Sequence, residues 1–419
     1  MILARFSFHM NPTSTALPGA PPDGVKPGRQ LLILALLLAF PSTGFVQKYT
    51  GLAGVAVYVA GFIVVLFLVK RFGGYCAPWL DRYFGRLTIL GMAGLVVGFA
   101  VLHPLEDGRG GAGKSSDRDE GLNLAVTRMA DGLSPYYPQN PEAGPLSVLP
   151  GAAVLAAPFV ALGDSSYQNI FWLGAFLFAA RHVFKDKALA LILAFAPLAI
   201  SPAAQFEFIS GGDLIANGIY MALFLLLAIE VWSAPDAPAP RRWLVCVLLG
   251  VAMASRPNFF LLTPLLAAVL CRRAGFSKAA TGITLVMVAA IGITLPFYLH
   301  DPQGFTPLLA RQKLAVIDHS LPWASKAMIG MTALTGILGG VALLRPPLCG
   351  LNQAFFRWCA WVTLCPMVCA VISLSMIHQH LDFSFNRDRY GLMYVFFALL
   401  GWGGVLLGNR SRINGGTGD

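Results

Sequence analysis

Charged residues are scarce in this chain. Only 12% of its 419 residues are Asp, Glu, Lys or Arg, whereas 56% are hydrophobic, and the mean hydropathy is +0.67. An ordinary soluble domain carries about 25% charged residues, so this composition excludes a soluble globule. We therefore expect an all-α, polytopic membrane protein.

Several catalytic motifs are also missing. The chain has no Gly-rich phosphate loop with a Walker-type Lys, no His-Glu-x-x-His and no Gly-x-Ser-x-Gly, which leaves nucleotide hydrolysis and the common hydrolase reactions without a motif. The net charge of +10 comes from basic residues that occur in short bursts between apolar runs. That pattern is typical of membrane topology and not of nucleic-acid binding, so no nucleic-acid partner is expected.

The seven cysteines do not predict a disulfide framework, because all lie in or beside apolar segments or in short basic loops. Cys365 and Cys369 share a helical face at i, i+4. In an apolar run this spacing favours packing over metal binding.

One long polar segment, residues 103–144, interrupts the apolar runs, and it contains Asp117-Arg118-Asp119-Glu120. Three carboxylates within four residues repel one another, so their proximity indicates a site for a cation, a proton or a polar ligand. A structural interpretation stands beside this one: Asp119 or Glu120 caps a helix that begins near Gly121. The two roles are compatible.

The remaining sequence divides into tails and apolar segments. Residues 1–28 are rich in Pro and predict a disordered cytoplasmic tail, residues 29–409 a transmembrane domain with an extracytoplasmic loop at 103–145, and residues 410–419 a second cytoplasmic tail. Pro150, Gly151 and Pro158 interrupt segment 146–162, which is expected to re-enter the membrane without crossing it. Twelve further segments are expected to cross: 31–46, 52–69, 87–102, 170–184, 188–204, 214–232, 243–254, 259–270, 281–299, 327–344, 356–377 and 390–407.

The positive-inside rule supports this map. With both termini in the cytoplasm, the doublets Lys70-Arg71, Arg241-Arg242 and Arg272-Arg273 face the cytoplasm, and the acidic segment faces outward. A crossing at 146–162 would turn the last two doublets outward. We therefore expect a multi-pass protein of the cytoplasmic (inner) membrane.

Segments 243–254 and 259–270 are short, since a full crossing needs about 20 residues. Arg256 lies between them, and a charge at bilayer depth costs about 2.5–3.5 kcal/mol. One interpretation puts Arg256 at the tip of two short helices that line a cavity. The alternative is a single long, kinked span from which Arg256 reaches the interface.

On the expected outer face, acids occur early in the chain and bases late. A carboxylate there could deprotonate an acceptor hydroxyl, while Arg256, Arg387 and Arg389 neutralise a departing phosphate. Arg387 and Arg389 could instead anchor the protein at the membrane interface. Asp213, another acid of this face, could instead cap the helix that follows it. His378 and His380 with Asp382 form a weak metal-binding pattern.

These motifs together resemble the GT-C class of polytopic glycosyltransferases, particularly bacterial mannosyltransferase-like members. The resemblance is carried by the run from Asp117 to Ala125, by the run from Asp131 to Tyr137, and by Pro145–Gly151. Gly212-Asp213, Ser255-Arg256-Pro257 and Arg389-Tyr390 are similar to features of the same class. Gly121 and Asn123 depart from the bulky residues usual beside the acidic motif.

The resemblance implies transfer of a hexose or pentose from a polyprenyl-phosphate donor to an acceptor outside the cytoplasmic membrane. It implies catalytic roles for Asp119, Glu120 and Asp117, with Asp117 and Asp119 as contacts for a divalent cation, Mg²⁺ or Mn²⁺, if one is used. Donor phosphate would be bound by Arg387, Arg389 and Arg256, and substrate by Asp213, Tyr136, Tyr137 and His378. The alternative function is a transporter or flippase for a lipid-linked or small polar substrate.

Overall fold

The chain folds into helices of very different lengths. The computed structural model describes residues 26–107, 118–137, 146–309, 317–345 and 350–408, and within these ranges it contains helices and no strand. Asp117 and the segment 410–419 lie outside the described residues. The helices are α1 (Pro27–Ala39), α2 (Thr43–Arg82), α3 (Phe84–Asp107), α4 (Arg118–Ala130), α5 (Pro150–Val160), α6 (Gln168–Phe184), α7 (Lys187–Ile200), α8 (Pro202–Ile209), α9 (Leu214–Ser233), α10 (Ala239–Met253), α11 (Thr263–Ala274), α12 (Phe276–His300), α13 (Ala324–Leu344), α14 (Leu351–His378) and α15 (Leu392–Trp402).

Helix α9 runs through the centre of the bundle. Its 20 residues give a length of about 30 Å, which matches the hydrocarbon thickness of a bilayer. It is apolar on every side, the pattern of a helix enclosed by others, and it packs against α6, α10, α11 and α15. This helix therefore links the two ends of the molecule.

The two ends of α9 carry different polar groups. At its C-terminal end the His182 Nε2 lies 2.9 Å from Glu230 Oε1, and the Arg242 guanidinium stacks on Trp232. At its N-terminal end Asp213 pairs with Arg256. The doublet Arg241-Arg242 is thus at the opposite end of the bundle from the acidic residues of interest.

Six helices of the described chain are long and apolar enough to cross a membrane, and a seventh is formed if the bent pair α7–α8 counts as one span. Twelve separate crossings find no support in these lengths. Helices α10 and α11 have only 15 and 12 residues, α7 and α8 meet at 87°, and segment 390–407 contains the 11-residue α15. A hydropathy profile shows where apolar residues are frequent, but it does not show where a helix is interrupted, as α7 and α8 are at Ser201-Pro202.

The expected spans 31–46 and 52–69 fall in one helical stretch, Pro27–Arg82. The backbone at Gly51 is not helical, and α1 packs against α2. The stretch is therefore bent, and it does not run as one straight rod.

Helix α5 fits the expected re-entrant segment. It has 11 residues, which span about 16 Å and cannot cross a bilayer alone. Its start is fastened to the α10–α11 break, because Leu149 N donates to Ser255 O and Gly151 N donates to Ala254 O. A Cβ at Gly151 would lie 2.1 Å from Val251 O, so only glycine allows this approach.

Replacing Gly151 by Ala is expected to destabilise the protein by about 1–3 kcal/mol, because the new methyl group overpacks a backbone contact. The measurement is thermal unfolding of the purified protein in detergent. Gly292→Ala in α12 is the matched control, since no atom lies within 4 Å of the added methyl group and Ala favours a helix. Equal melting of wild type and Gly151→Ala would show that the α5 contact contributes nothing.

Candidate functional site

Helix α4 carries the acidic motif into the protein. The helix begins at Arg118, so Asp119 and Glu120 lie in its first turn, where the helix dipole stabilises negative charge. Asp119 is only 4% exposed, and its Oδ1 is buried without a hydrogen-bond partner. The helix dipole therefore explains why α4 tolerates an acid at position 119. It does not explain why the Asp119 side chain is buried.

The electrostatic surroundings of Asp119 are unfavourable to an anion. Burial raises the pKa of this carboxyl to about 9, and the neighbouring carboxyls of Glu120 and Asp164 add to the increase. A group displaced this far from its ordinary pKa is a candidate for function. A positive charge entering the site would reverse the effect and ionise the acid.

His103 and Asp164 lie beside Asp119. The Nε2 of His103 is 3.7 Å from Asp119 Oδ2, and one ligand atom from each of the three residues lies within 4.8 Å of the others. His103 comes from the end of α3 and Asp164 from the turn after α5. Neither was predicted as a site residue, because neither forms a known motif with its neighbours in the sequence.

Asn123 explains how Asp164 is held. Its Nδ2 donates to Asp164 Oδ2 at 3.2 Å, and its Oδ1 accepts from Ser165 N at 2.8 Å. The backbone N of Ser166 also donates to Asp164 Oδ1. The residue that departs from the glycosyltransferase pattern therefore positions a second acid of the site.

Glu207 is the centre of a second polar group. It is fully buried and bridges two arginines: Arg118 Nη1 lies 3.1 Å from its Oε2 and Arg389 Nε lies 2.7 Å from the same atom. The Leu214 N–H donates to Oε1. Burial opposes the charge of Arg118, but Glu207 and the surrounding acidic groups together raise its pKa above the ordinary value.

Both arginines also reach aromatic rings and backbone. Arg118 Nη2 donates to Asp388 O at 2.6 Å and its guanidinium lies 5.3 Å from the Tyr390 ring. The Arg389 guanidinium lies 4.6 Å from the Phe206 ring. These contacts join α4, α8 and the segment before α15 around one carboxylate.

The turn Gly211-Gly212 brings the two groups together. Gly211 has φ +68°, and a Cβ there would lie 2.5 Å from Asp119 Oδ2. A Cβ at Gly212 would lie 2.3 Å from Glu207 Oε1. The paired glycines thus let Asp119 and Glu207 approach the same turn from two sides, which the sequence showed only as a Gly-Gly-Asp capping pattern.

Asp213 and Arg256 form a third group. Arg256 Nη2 donates to both carboxylate oxygens, at 2.7 and 2.6 Å, and Asn217 Nδ2 donates to Oδ2. Burial opposes the ionised form of Asp213, but Arg256 and Arg118 outweigh it and lower its pKa. Asp213 occupies the N-cap position of α9, as the capping alternative expected, but its side chain makes no cap hydrogen bond and binds Arg256 instead.

Arg256 lies at the break between α10 and α11 and is buried. This agrees with the interpretation of two short helices and is incompatible with a single kinked span. Its guanidinium is committed to Asp213, so a role in binding donor phosphate would require that pair to open.

Other expected site residues lie elsewhere. Tyr136 is a core residue: its ring packs edge-on to Phe305 at 4.7 Å and its hydroxyl donates to Val148 O, so direct substrate contact is not supported. Tyr137 is buried near Gly121, with Arg128 over its ring. Arg387 is exposed on the turn Ser384–Asp388.

His378 pairs with Asp382, the Nδ1 and Oδ2 atoms being 2.5 Å apart. The His380 ring is 5.9 Å from the His378 ring. Across the described part of the chain, the metal-compatible group of three His, Cys, Asp or Glu residues is His103, Asp119 and Asp164. The weak pattern at 378–382 therefore does not form such a group.

No family model, curated protein or solved structure matches this chain.

Replacing Glu207 by Gln is expected to lower the free energy of unfolding by about 3–5 kcal/mol, because it removes the buried anion that both Arg118 and Arg389 contact. Thermal or denaturant unfolding in detergent measures the loss. Glu230→Gln is the matched control. Its side chain is 30% exposed, and partly exposed pairs contribute about 1 kcal/mol or less. Equal losses in the two variants would contradict the central role of Glu207.

Proposed function

We propose that this protein is an integral membrane glycosyltransferase with a GT-C-like architecture, which moves a sugar from a polyprenyl-phosphate donor to an acceptor hydroxyl. The observation that carries the proposal is the convergence of a buried carboxyl, Asp119, and the arginines Arg118 and Arg389 around the Gly211-Gly212 turn. This convergence occurs at the end of an apolar bundle, where a lipid-linked substrate can approach from the bilayer.

In the proposed reaction the acceptor oxygen attacks C1 of the sugar. The bond between C1 and the phosphate oxygen breaks, and the leaving polyprenyl phosphate keeps the electron pair. The hydroxyl proton passes to the ionised form of Asp119, which a nearby positive charge favours, with Glu120 as the neighbouring acid. Glu120 is half-buried, and its Oε2 has no hydrogen-bond partner.

The arginines supply the charge for the departing phosphate. Arg118 and Arg389 both contact the buried carboxylate of Glu207, which holds the two guanidinium groups side by side. Arg387 is exposed on the turn Ser384–Asp388, two residues before Arg389 in the sequence. Arginine suits this task because its planar donors match phosphate oxygens.

The orientation is part of the proposal. The site faces the extracytoplasmic side of the inner membrane, and both termini and the basic doublets face the cytoplasm. The positive-inside rule supports this orientation, since Arg242 and the acids are at opposite ends of α9.

Replacing Asp119 by Asn is expected to reduce sugar transfer by about 10²–10⁴-fold, because the proton acceptor is lost while the shape is kept. Transfer from a radiolabelled polyprenyl-phosphate sugar is measured in proteoliposomes. Asp131→Asn is the matched control, since Asp131 is an exposed acid at the end of the same helix. Full transfer by Asp119→Asn would remove the proposed base.

The same proteoliposomes separate a transferase from a flippase. A flippase would move the labelled lipid across the bilayer without consuming its sugar. Movement without consumption in the wild-type protein would favour the transporter alternative.

Leu133→Cys is expected to react with a membrane-impermeant maleimide in intact cells, because Leu133 is exposed in the turn that follows α4. Asp236→Cys, exposed in the loop between α9 and α10, should react only after the membrane is permeabilised. Each substitution is made in a variant without the native cysteines. The reverse labelling pattern would invert the proposed orientation.

A further inference from the structure

Three separate segments bring potential metal ligands to one point. His103 lies in the last two turns of the long helix α3, Asp119 in the first turn of α4, and Asp164 in the turn after α5. Ligand atoms within 4.8 Å of one another have a common point no more than about 2.8 Å from each, so a movement of less than about 1 Å per ligand reaches the bond lengths of a bound transition metal.

The imidazole of His103 is oriented for ligation. Its Nδ1 lies 2.8 Å from Ile209 O, and because a carbonyl only accepts, Nδ1 must donate. In the neutral ring this fixes a lone pair on Nε2, the atom that faces Asp119. A histidine ligand usually donates its other N–H to a carbonyl or carboxylate in this way. Stacking on Phe99, with ring centroids 4.5 Å apart, further restrains the ring.

The carboxyl of Asp164 is held in the same manner. Both of its oxygens accept hydrogen bonds, Oδ2 from Asn123 and Oδ1 from the Ser166 N–H. Hydrogen-bonded carboxylates of this kind surround many metal sites. Two of the three candidate ligands are therefore positioned by groups that are not themselves ligands.

The environment of Asp119 is independent evidence that the position between His103, Asp119 and Asp164 binds a ligand. Its side chain is 5% exposed, and Oδ2 lies 3.7 Å from His103 Nε2, too far for a hydrogen bond. The Asp119 carboxyl interacts with that of Glu120, but no N–H or hydroxyl donor reaches its Oδ1, and the buried Oγ of Ser166 has no partner. A Cβ built on Gly211 would contact both Asp119 Oδ2 and Ser166 Cβ. The side chains of Asp119 and Ser166 therefore lie beside the same glycine. A buried carboxylate in this state costs free energy unless it is protonated or a cation binds it.

We propose that His103, Asp119 and Asp164 bind one divalent transition-metal ion. One imidazole and two carboxylates favour Zn²⁺ or Mn²⁺ over Mg²⁺ and Ca²⁺, which prefer all-oxygen ligand sets. Three protein ligands leave positions open for water or substrate, as in catalytic metal sites. The ion would hold Asp119 ionised and offer a positive charge to substrate oxygens. Metal binding itself does not depend on the proposed transfer reaction.

The experiment is metal analysis of the purified, full-length protein. The protein is stripped with a chelator, dialysed against micromolar Zn²⁺, Mn²⁺ or Mg²⁺, and analysed by mass spectrometry of the bound element. One equivalent of Zn²⁺ or Mn²⁺ is expected in the wild type. Asp164→Asn and His103→Ala should weaken binding by more than about 100-fold, and Asn123→Ala, which changes only a supporting residue, by about 10-fold.

His182→Ala is the matched control, because His182 pairs with the carboxylate of Glu230 at the other end of the bundle. It should bind metal as the wild type does. Gel filtration and the melting temperature identify any variant that fails to fold, and Asp164→Asn preserves side-chain volume so that at least one ligand variant can be interpreted.

The proposal is overturned if the wild type retains no stoichiometric ion, if Mg²⁺ binds as tightly as Zn²⁺ and Mn²⁺, or if folded Asp164→Asn binds the ion normally. Sugar transfer is then measured with stripped and reloaded protein. Bound metal without any sugar transfer would refute the proposed function and leave the metal site standing. Full transfer by the stripped protein would show that the reaction does not need the ion.

Discussion

The buried carboxylate of Glu207 is the interaction on which the site depends. It joins Arg118 of α4 and Arg389 of the segment before α15, and it also accepts the N–H of Leu214 at the start of α9. Taking three charges out of water is costly unless each finds a partner. Here the cost is offset because two guanidinium groups and a backbone donor converge on one anion.

This arrangement makes distant parts of the chain interdependent. Arg118 and Arg389 are far apart in the sequence, but both contact Glu207, which lies in α8. The position of α8 therefore determines where both guanidinium groups lie. The turn Gly211-Gly212 then sets the distance between Glu207 and Asp119. A shift in α8 would therefore disturb the arginine pair, the Asp119 carboxyl and the Asp213–Arg256 pair together. Such coupling suits a site that must hold charged substrate groups in an apolar surrounding, where electrostatic interactions are strong.

Sequence reasoning predicted the helical class of the fold and named several residues that the structure brings together in the candidate site. Apolar runs predicted a helical membrane protein, and the unusual density of acids at 117–120 pointed to Asp119. The break at Arg256 followed from the cost of burying a charge. Pairing could not be predicted, because nothing in the sequence indicates that Arg389 meets Glu207 or that Asn123 holds Asp164.

Tyr136 was assigned to substrate from a motif, whereas its apolar neighbours Phe297 and Phe305 come from a distant segment. The number of crossings was overestimated because bends such as that between α7 and α8 depend on tertiary packing.

The central claim is that the arginine pair over Glu207 receives a lipid phosphate, and direct binding of polyprenyl phosphate tests it. Titration of the wild-type protein in nanodiscs should give saturable binding of one lipid. Arg118→Gln should weaken that binding by at least about tenfold, the loss of one charge-assisted phosphate contact, whereas Arg118→Lys should retain most of it. Equal affinity of the wild type and a folded Arg118→Gln protein would contradict the account.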